Sequence, residues 1–350
     1  VANNTLADMF VRNTDVRSLP ADMFSSPQRI LGIEGASGPV TLSGIGSAAP
    51  AVLIGTDAVT GDSLTGGSGP DTIRGFAGND SLDGGDGSDN LQGGAGNDRI
   101  VDSGISGVDL VQGGTGDDYI NSGTGSDVID GGPDNDTIVL GSGGPVANGS
   151  TGNDLILGGT GIDSITGDEG DDWLEGGGSA DTLIGDAIPP APGLDLIAPG
   201  YDVLIGGTGA DTFNGGGKDD IIGGGDSSLL TTTPDTAVGG NGFDWITYTT
   251  GTYGSGKTGV NADLSLVARA PGDLVQAAMD IFPDGDVEGL SGGTGNDTLA
   301  GDLRTTLVNP VGTNDTLDAT GLAKIAGLSS LVSLGSNGFP FNGQIGRAHV

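Results

Sequence analysis

Residues 113–136 read GGTGDDYINSGTGSDVIDGGPDND, and this stretch repeats one short phrase three times. Each phrase closes on an aspartate, so that Asp118, Asp127 and Asp136 lie nine residues apart. Glycines precede each aspartate, and an apolar residue follows it by two positions. Such constant spacing predicts a stack of similar short units that share one core.

The composition supports a repeat architecture. Glycine accounts for 73 of 350 residues, whereas hydrophobic residues are only 34% and aromatic residues only 4%. A conventional globular core would carry more large apolar side chains, and glycine without a three-residue period excludes collagen. Two explanations of this composition remain, a disordered chain and a repeat fold, and the regular spacing favours the repeat fold.

The charge is strongly acidic, with 47 Asp and Glu against 11 Lys and Arg and a net charge of −36. Such a chain repels nucleic acid and anionic lipid, and it repels itself when compact unless cations neutralise it. The absence of cysteine excludes disulfides and thiolate metal sites, which suits a secreted bacterial protein of the disulfide-free type. No apolar run reaches the length of a membrane span.

The repeat unit is GGxGxDxUx, where U is a large apolar residue at position 8 and aspartate holds position 6. A two-residue insertion in residues 102–110 shifts the frame, and Pro145 stands where an aspartate is due, so we expect that coil to continue with one ligand lost. Position 8 predicts a very short strand with one side chain turned inward. The residues at this position are Ile73, Leu82, Leu91, Ile100, Ile120, Ile129, Ile138, Ile156, Ile165, Leu174, Leu183, Phe213 and Ile222.

The rest of the chain departs from this pattern. Residues 5–14 and 321–333 have apolar residues at helical spacing, which predicts a short helix at each end. Residues 259–267 alternate apolar and polar, which predicts a half-buried strand. The sequence therefore divides into a helical end of an upstream domain (1–30), a linker with a first strand (31–54), a roll (55–247) with loops at 185–202 and 224–238, variant strands with a last repeat (248–302), a C-terminal segment with a short helix (303–344), and residues 345–350.

The repeat offers oxygen ligands only. Glycine lets carbonyl oxygens converge without Cβ clashes, and aspartate adds an anionic oxygen. Calcium takes 6–8 such ligands, Mg²⁺ fits less well, and zinc would require His or Cys. A lone aspartate after glycine would be a turn residue, and that alternative stays open for Asp202, Asp244 and Asp297. The predicted calcium ligands are Asp62, Asp71, Asp80, Asp89, Asp98, Asp118, Asp127, Asp136, Asp154, Asp163, Asp172, Asp181, Asp211, Asp220, Asp244 and Asp297.

These residues carry a resemblance to the RTX, or haemolysin-type, calcium-binding repeat family over residues 61–247 and 292–302. The resemblance implies an all-β fold, a right-handed parallel β-roll in which nine residues make half a coil. It also implies that calcium lies between turns 18 residues apart, and that the module is secreted and folds on calcium outside the cell. The implied ligand pairs are Asp71 with Asp89, Asp80 with Asp98, Asp118 with Asp136, Asp136 with Asp154, Asp154 with Asp172, and Asp163 with Asp181.

A second resemblance concerns residues 6–24, LADMFVRNTDVRSLPADMF, which are similar to the closing helix of animal-type haem peroxidases. Arg12, Asn13, Thr14, Leu19, Pro20 and Phe24 carry it, and the stretch from GFDWITY to GGTGNDTLAGD is similar to the tails of bacterial members. It implies that the roll is the C-terminal part of a secreted peroxidase. The competing interpretations are the repeat region of an adhesin, a protease or a lipase.

No catalytic constellation is recognisable, and we expect this chain not to be an enzyme. HExxH and GxSxG motifs are absent, and the only histidine, His349, lies in the last six residues, IGRAHV. These six residues read like a translated sequencing adapter, and we interpret them as an artefact. The expected partners are calcium ions and secretion machinery, and the region is expected to be monomeric.

Overall fold

A computed structural model describes residues 38–43, 48, 50–186, 199–218, 220–224, 235–241 and 244–247, and the backbone alone of short strands at 29–32, 261–263, 289–291, 298–300, 307–309 and 316–318. The described part is all β, with no helix among these residues. The helices predicted at 5–14 and 321–333 lie outside the described residues, as do 345–350. Among the described elements, no helix is long and apolar enough to cross a membrane.

Two long sheets form the described part, and their strands alternate along the chain. The first sheet contains β1 (Arg29–Gly32), β3 (Ala51–Ile54), β5 (Thr72–Ala77), β7 (Asn90–Ala95), β9 (Leu110–Thr115), β12 (Val128–Pro133), β15 (Val146–Thr151), β17 (Ser164–Glu169), β19 (Thr182–Ile184), β21 (Thr212–Gly217) and β23 (Thr236–Asn241). The second contains β2 (Thr41–Ser43), β4 (Ser63–Thr65), β6 (Ser81–Asp83), β8 (Arg99–Val101), β10 (Tyr119–Asn121), β13 (Thr137–Val139), β16 (Leu155–Leu157), β18 (Trp173–Gly178), β20 (Val203–Thr208), β22 (Ile221–Gly223), β24 (Trp245–Thr247), β26 (Gly289–Ser291) and β28 (Leu307–Asn309).

Two smaller sheets complete the strand set. Strands β11 (Thr124–Gly125) and β14 (Ser142–Gly143) pair with each other, and β25 (Asn261–Asp263), β27 (Thr298–Ala300) and β29 (Thr316–Asp318) form a three-stranded sheet. The strand predicted over 259–267 is thus described only at its centre, as β25.

Successive coils pair in parallel, so that each strand lies beside the strand one full coil earlier. Ile73 pairs with Leu91 in the first sheet, and Ile120 pairs with Ile138 in the second. The stack of units predicted from the nine-residue step is therefore confirmed, and its strands run in parallel, as the resemblance implies. Insertions leave the pairing intact, because Leu91 pairs with Val111 across the inserted pair and Leu174 pairs with Leu204 across the proline-rich loop.

The core is a narrow double row of aliphatic side chains between the sheets. Every residue predicted at position 8 is buried, which confirms the one-inward pattern. Further members of the same rows are Leu42, Leu53, Leu64, Val111, Ala147, Leu204, Ala237 and Ile246. A single apolar residue per half coil cannot stabilise one unit, so the units depend on their neighbours in the stack.

The glycines of the unit have two separate causes. Positions 2 and 4 need backbone angles that favour glycine, as at Gly94 with φ 124° and Gly96 with φ 125°. Phe76 holds position 2 with φ 80°, which costs on the order of 1–3 kcal/mol for a non-glycine residue. Position 1 instead lacks space, because a Cβ on Gly75 would collide with the Asp80 carboxylate and lie 2.6 Å from the Gly93 carbonyl oxygen.

Candidate metal sites at the two edges of the roll

The position-6 aspartates form two stacked rows, one at each edge of the roll. The first edge consists of the loops that leave the first sheet, and the second edge of those that leave the second sheet. The first edge carries Asp62, Asp80, Asp98, Asp118, Asp136, Asp154, Asp172, Asp202, Asp220 and Asp244. The second carries Asp71, Asp89, Asp109, Asp127, Asp163, Asp181, Asp211 and Asp235.

Each row is held by one repeated hydrogen bond. The backbone N–H of Asp118 donates to Oδ1 of Asp136 at 2.8 Å, and the N–H of Asp136 donates to Oδ1 of Asp154 at 2.7 Å. The same bond joins Asp163 to Asp181 on the second edge at 2.8 Å. All six aspartate pairs implied by the resemblance are neighbours of this kind. Their role as metal ligands remains a prediction.

The second oxygen of each carboxylate is buried and makes no hydrogen bond at many positions of both rows. This holds for Oδ2 of Asp80, Asp89, Asp98, Asp109, Asp118, Asp127, Asp136, Asp154, Asp172, Asp181 and Asp202. An unpartnered buried carboxylate oxygen costs free energy, so each one marks a place where a ligand or a proton would stabilise the fold.

A backbone carbonyl oxygen from the next coil lies beside this unpartnered oxygen. A Cβ on Gly176 would lie 2.6 Å from Oδ2 of Asp181 and 2.6 Å from the carbonyl oxygen of Gly206. On the first edge, a Cβ on Gly93 would collide with the Asp98 carboxylate and lie 2.5 Å from the Gly113 carbonyl oxygen. Position 1 therefore forms a cradle, a space without a side chain that is lined by a carboxylate oxygen and a carbonyl oxygen.

Burial is the main reason why these carboxyls hold their protons strongly. It raises the pKa of Asp136 to about 8, opposed by the hydrogen bond from Asp118 N–H and reinforced by the negative charges of Asp118, Asp154 and Asp117. Burial likewise raises the pKa of Asp172 to about 8 and that of Asp98 to about 7. In their ionised form, the rows are electrostatically unfavourable without a bound cation.

The donor set of the cradle fits calcium. Unpartnered carboxylate oxygens and carbonyl oxygens are the hard ligands that Ca²⁺ prefers, and the cradle contains no nitrogen or sulfur ligand. In the part of the chain that the structure describes, no three His, Cys, Asp or Glu side chains form a group that could hold a metal ion. A calcium shell on these edges must therefore draw on backbone carbonyls as well as carboxylates.

The second edge is irregular where the first is regular. Its position 1 is aspartate, serine and leucine in three consecutive coils, at Asp102, Ser122 and Leu140, and all three residues are buried. Leu140 belongs to the unit that has Pro145 at position 6, so no carboxylate competes with its side chain for the cradle. Pro145 also lacks an N–H, which leaves Oδ1 of Asp163 without a hydrogen-bond partner.

Restoring both consensus residues is expected to add calcium to this coil. In the double variant Leu140→Gly/Pro145→Asp, the cradle is emptied and the new carboxylate can stack between Asp127 and Asp163. We expect more calcium bound per chain than in the unaltered protein, measured by calorimetric titration. The single variant Pro145→Asp is the matched control, because Leu140 still fills the cradle and should prevent the gain. Equal binding by the double variant and the unaltered protein would count against the cradle as the metal site.

The predicted ligand set lacks three stacked aspartates, Asp109, Asp202 and Asp235, and for Asp202 the sequence left a ligand and a turn residue as alternatives. Each follows an insertion, so that its spacing to the preceding aspartate of its row is 20, 30 or 24 residues instead of 18. A usable signal was present, since an apolar residue follows each by two positions, at Val111, Leu204 and Ala237. The side chain of Asp297 lies outside the described residues.

Comparison with known families identifies the repeat units that carry the stacked aspartates. The family described as RTX calcium-binding nonapeptide repeat (4 copies) matches residues 60–91, 83–101, 103–143, 148–187, 199–230 and 290–303. Neither the curated proteins nor the solved structures contain a significant match to this chain. All the stacked aspartates of both rows from Asp62 to Asp220 lie within the matched segments.

Proposed function

We propose that this chain, which carries RTX calcium-binding nonapeptide repeats, is a module that folds when calcium fills the rows of sites along its two edges. The observation that carries the proposal is the repeated pairing of an unpartnered, buried carboxylate oxygen with a carbonyl oxygen of the next coil. Hydrophobic burial alone is small here, because each half coil contributes one large apolar side chain. The folding free energy would therefore come largely from metal binding.

Each residue of the cradle has a defined part in this proposal. Oδ1 of Asp136 accepts the N–H of Asp118, which fixes the orientation of the Asp136 carboxylate. Its Oδ2 is then held toward the cradle at Gly131, where a Cβ would lie 2.9 Å from the Gly149 carbonyl oxygen. Bound calcium supplies positive charge between coils that otherwise repel one another. Residues Asp118, Asp136 and Asp154 would hold successive ions on the first edge.

The proposed setting is extracellular, with the roll as the C-terminal part of a secreted bacterial protein. Calcium is abundant outside cells, so a chain with this requirement would fold after export. The net charge of −36 and the absence of cysteine support that setting. We further propose an animal-type haem peroxidase as the parent, on the resemblance of residues 6–24, which lie outside the described residues. Sequencing the gene upstream of Val1 tests this assignment, and a protease, lipase or adhesin domain there would reject it.

Two adjacent aspartates provide the sharpest test of the calcium sites. Asp118 is buried in the first-edge row, whereas Asp117 is exposed beside it. Asp118→Asn keeps the shape and the oxygen that accepts the Asp98 N–H, but it replaces the unpartnered oxygen by an NH₂ group that repels a cation. We expect Asp118→Asn to bind at least one calcium ion fewer in calorimetric titration at pH 8. Asp117→Asn removes the same charge and should bind as many ions as the unaltered chain, and equal losses in both variants would reject the assignment.

A further inference from the structure

The frame shift at residues 102–110 places an aspartate where the unit has glycine. Asp83 pairs with Val101, so the next residue, Asp102, aligns with Gly84 of the preceding coil. Asp102 is separated from its own position-6 aspartate, Asp109, by seven residues, whereas Gly84 is separated from Asp89 by five. At a regular position 1, a side chain would collide with the position-6 carboxylate of its own unit. The two extra residues between Asp102 and Asp109 lengthen this turn, which leaves room for the Asp102 side chain.

The Asp102 carboxylate points into the cradle of the preceding coil. A Cβ on Gly84 would lie 2.8 Å from Oδ1 of Asp102 and 2.7 Å from Oδ2 of Asp89. In the neighbouring cradle at Gly66, the corresponding contacts are Oδ2 of Asp71 at 2.6 Å and the Gly84 carbonyl oxygen. Asp102 thus brings a charged oxygen to a place where the adjacent coil has a neutral carbonyl oxygen.

The carboxylate of Asp102 is buried without a well-formed hydrogen bond. Its side chain is 4% exposed, and neither Oδ1 nor Oδ2 has a partner at hydrogen-bonding geometry. The N–H of Gly104 lies near enough to favour the charged form, but it does not close an Asx turn of ordinary geometry. Oδ2 of Asp89, the other oxygen at this cradle, is also unpartnered. Turn formation alone therefore does not account for Asp102.

Further negative charge surrounds this position. Burial, and after it chiefly the charge of Asp109, raises the pKa of Asp102 to about 7, with smaller contributions from Asp127 and Asp83. Asp83 is engaged by the Ser103 hydroxyl at 3.0 Å, whereas the buried Asp109 carboxyl lies close enough to the Asp102 and Asp127 carboxyls to share a proton with them. A cation at the Gly84 cradle would therefore contact two carboxylates and lie near a third, while a regular cradle offers one carboxylate and one carbonyl.

We propose that Asp89 and Asp102 together form the highest-affinity calcium site of the second edge, with Asp102 as a ligand that the nonapeptide pattern does not contain. The inference rests on the proposed function, because it assumes the row of sites to which the Asp89 cradle belongs. Calcium affinity rises with the number of charged ligands at a site. The site at Asp89 and Asp102 would fill before the remaining second-edge sites, and it would nucleate the pairing of coils across the insertion.

The test is a calcium titration of Asp102→Gly, which restores the consensus residue and should permit folding. We expect the affinity of one calcium site to fall about tenfold or more, in line with the loss of one charged ligand. The control Leu140→Gly also restores glycine at position 1, two coils further along the edge, and should leave the affinity of that site unchanged. An Asp102→Gly titration identical to that of the unaltered chain would overturn the inference.

A stability measurement separates a ligand from a merely structural residue. Asp102→Gly removes a buried charge that lacks a well-formed hydrogen bond, so in excess chelator it should raise the folded fraction. In millimolar calcium it should lower the unfolding midpoint, because a ligand is lost. A change of the same sign in both conditions would also overturn the inference. If the unaltered chain binds no calcium at all, the proposed function is rejected. If the unaltered chain and Asp102→Gly bind calcium equally well, only the inference about Asp102 is rejected.

Discussion

Excess chelator at pH 8 is expected to convert the roll into a largely disordered chain. At that pH even Asp172 and Asp202, whose pKa burial raises to about 8, are about half ionised, and burial opposes their charge. The aliphatic core is thin, and the net charge of −36 adds repulsion along the chain. Without a cation, neither the burial of charged carboxylates nor the repulsion along the chain is offset. Most of the β-sheet signal should therefore be lost.

Far-UV circular dichroism measures this directly. Addition of calcium to the millimolar range typical of extracellular modules should restore the β spectrum. Magnesium at the same concentration is the control for general screening, and it should restore much less, because Mg²⁺ demands a tighter octahedral shell. A β spectrum that persists unchanged in excess chelator would show that packing alone holds the roll.

Acid is expected to substitute partly for calcium. In chelator, we expect the folded fraction to be highest near pH 4 to 5 and to fall as the pH rises toward 8. The carboxyls of Asp89, Asp136 and Asp172 have folded pKa values of about 8, mainly through burial, against an ordinary value of 3.8. Protonation removes the charge that burial disfavours, and the neutral carboxyl can donate a hydrogen bond to a neighbouring carbonyl oxygen.

The sign follows from proton linkage. Between the unfolded pKa near 4 and the folded values of about 6 to 8, the folded chain binds more protons than the unfolded chain. Stability is therefore fully present below the unfolded pKa and is lost as the pH rises through the folded pKa values. With calcium present the trend should reverse, because protons compete with the metal for the same carboxylates.

A pH series of circular dichroism spectra, recorded with and without calcium, tests this pair of opposite slopes. The calcium-loaded series at pH 8 is the control that the chain remains competent to fold. A folded fraction in chelator that rises from pH 5 to pH 8 would contradict the burial of ionisable carboxyls at the two edges. The series also reports on the rows as a whole, because many coupled carboxyls titrate together.

Where the nine-residue spacing is unbroken, the local sequence was sufficient to predict the core residues. Ile120, Ile129 and Ile138 could be placed in the core because each follows an aspartate by two residues, and a two-residue step along a strand returns to the same face. The partners Asp118 and Asp136 could be named because one coil is two units long. The core assignment needs only the period of the repeat, whereas the pairing also needs the resemblance, which implies that nine residues make half a coil.

Insertions between repeat units made the stacked neighbours of the aspartates harder to predict from spacing. Asp202 stacks on Asp172 although 30 residues separate them, because hydrogen bonding between parallel strands sets the register whatever the number of residues inserted between them. Spacing alone does not give the residue at which a row resumes. The same holds for Asp109 and Asp235, which the structure places in the second-edge row. Asp211 and Asp244 could be predicted across insertions of similar size only because each ends a GGxGxD motif.

The sequence by itself determined the unit, its inward residue and the oxygen-only chemistry of its turns, because these depend on contacts within nine residues or on the identity of the side chains. The tertiary structure alone decided which turns lie side by side, and hence that Asp102 shares a cradle with Asp89 while Leu140 is buried at position 1 of the Pro145 unit. Those neighbours are set by the strand register of separate coils. Register is a property of the stack, and no single unit contains it.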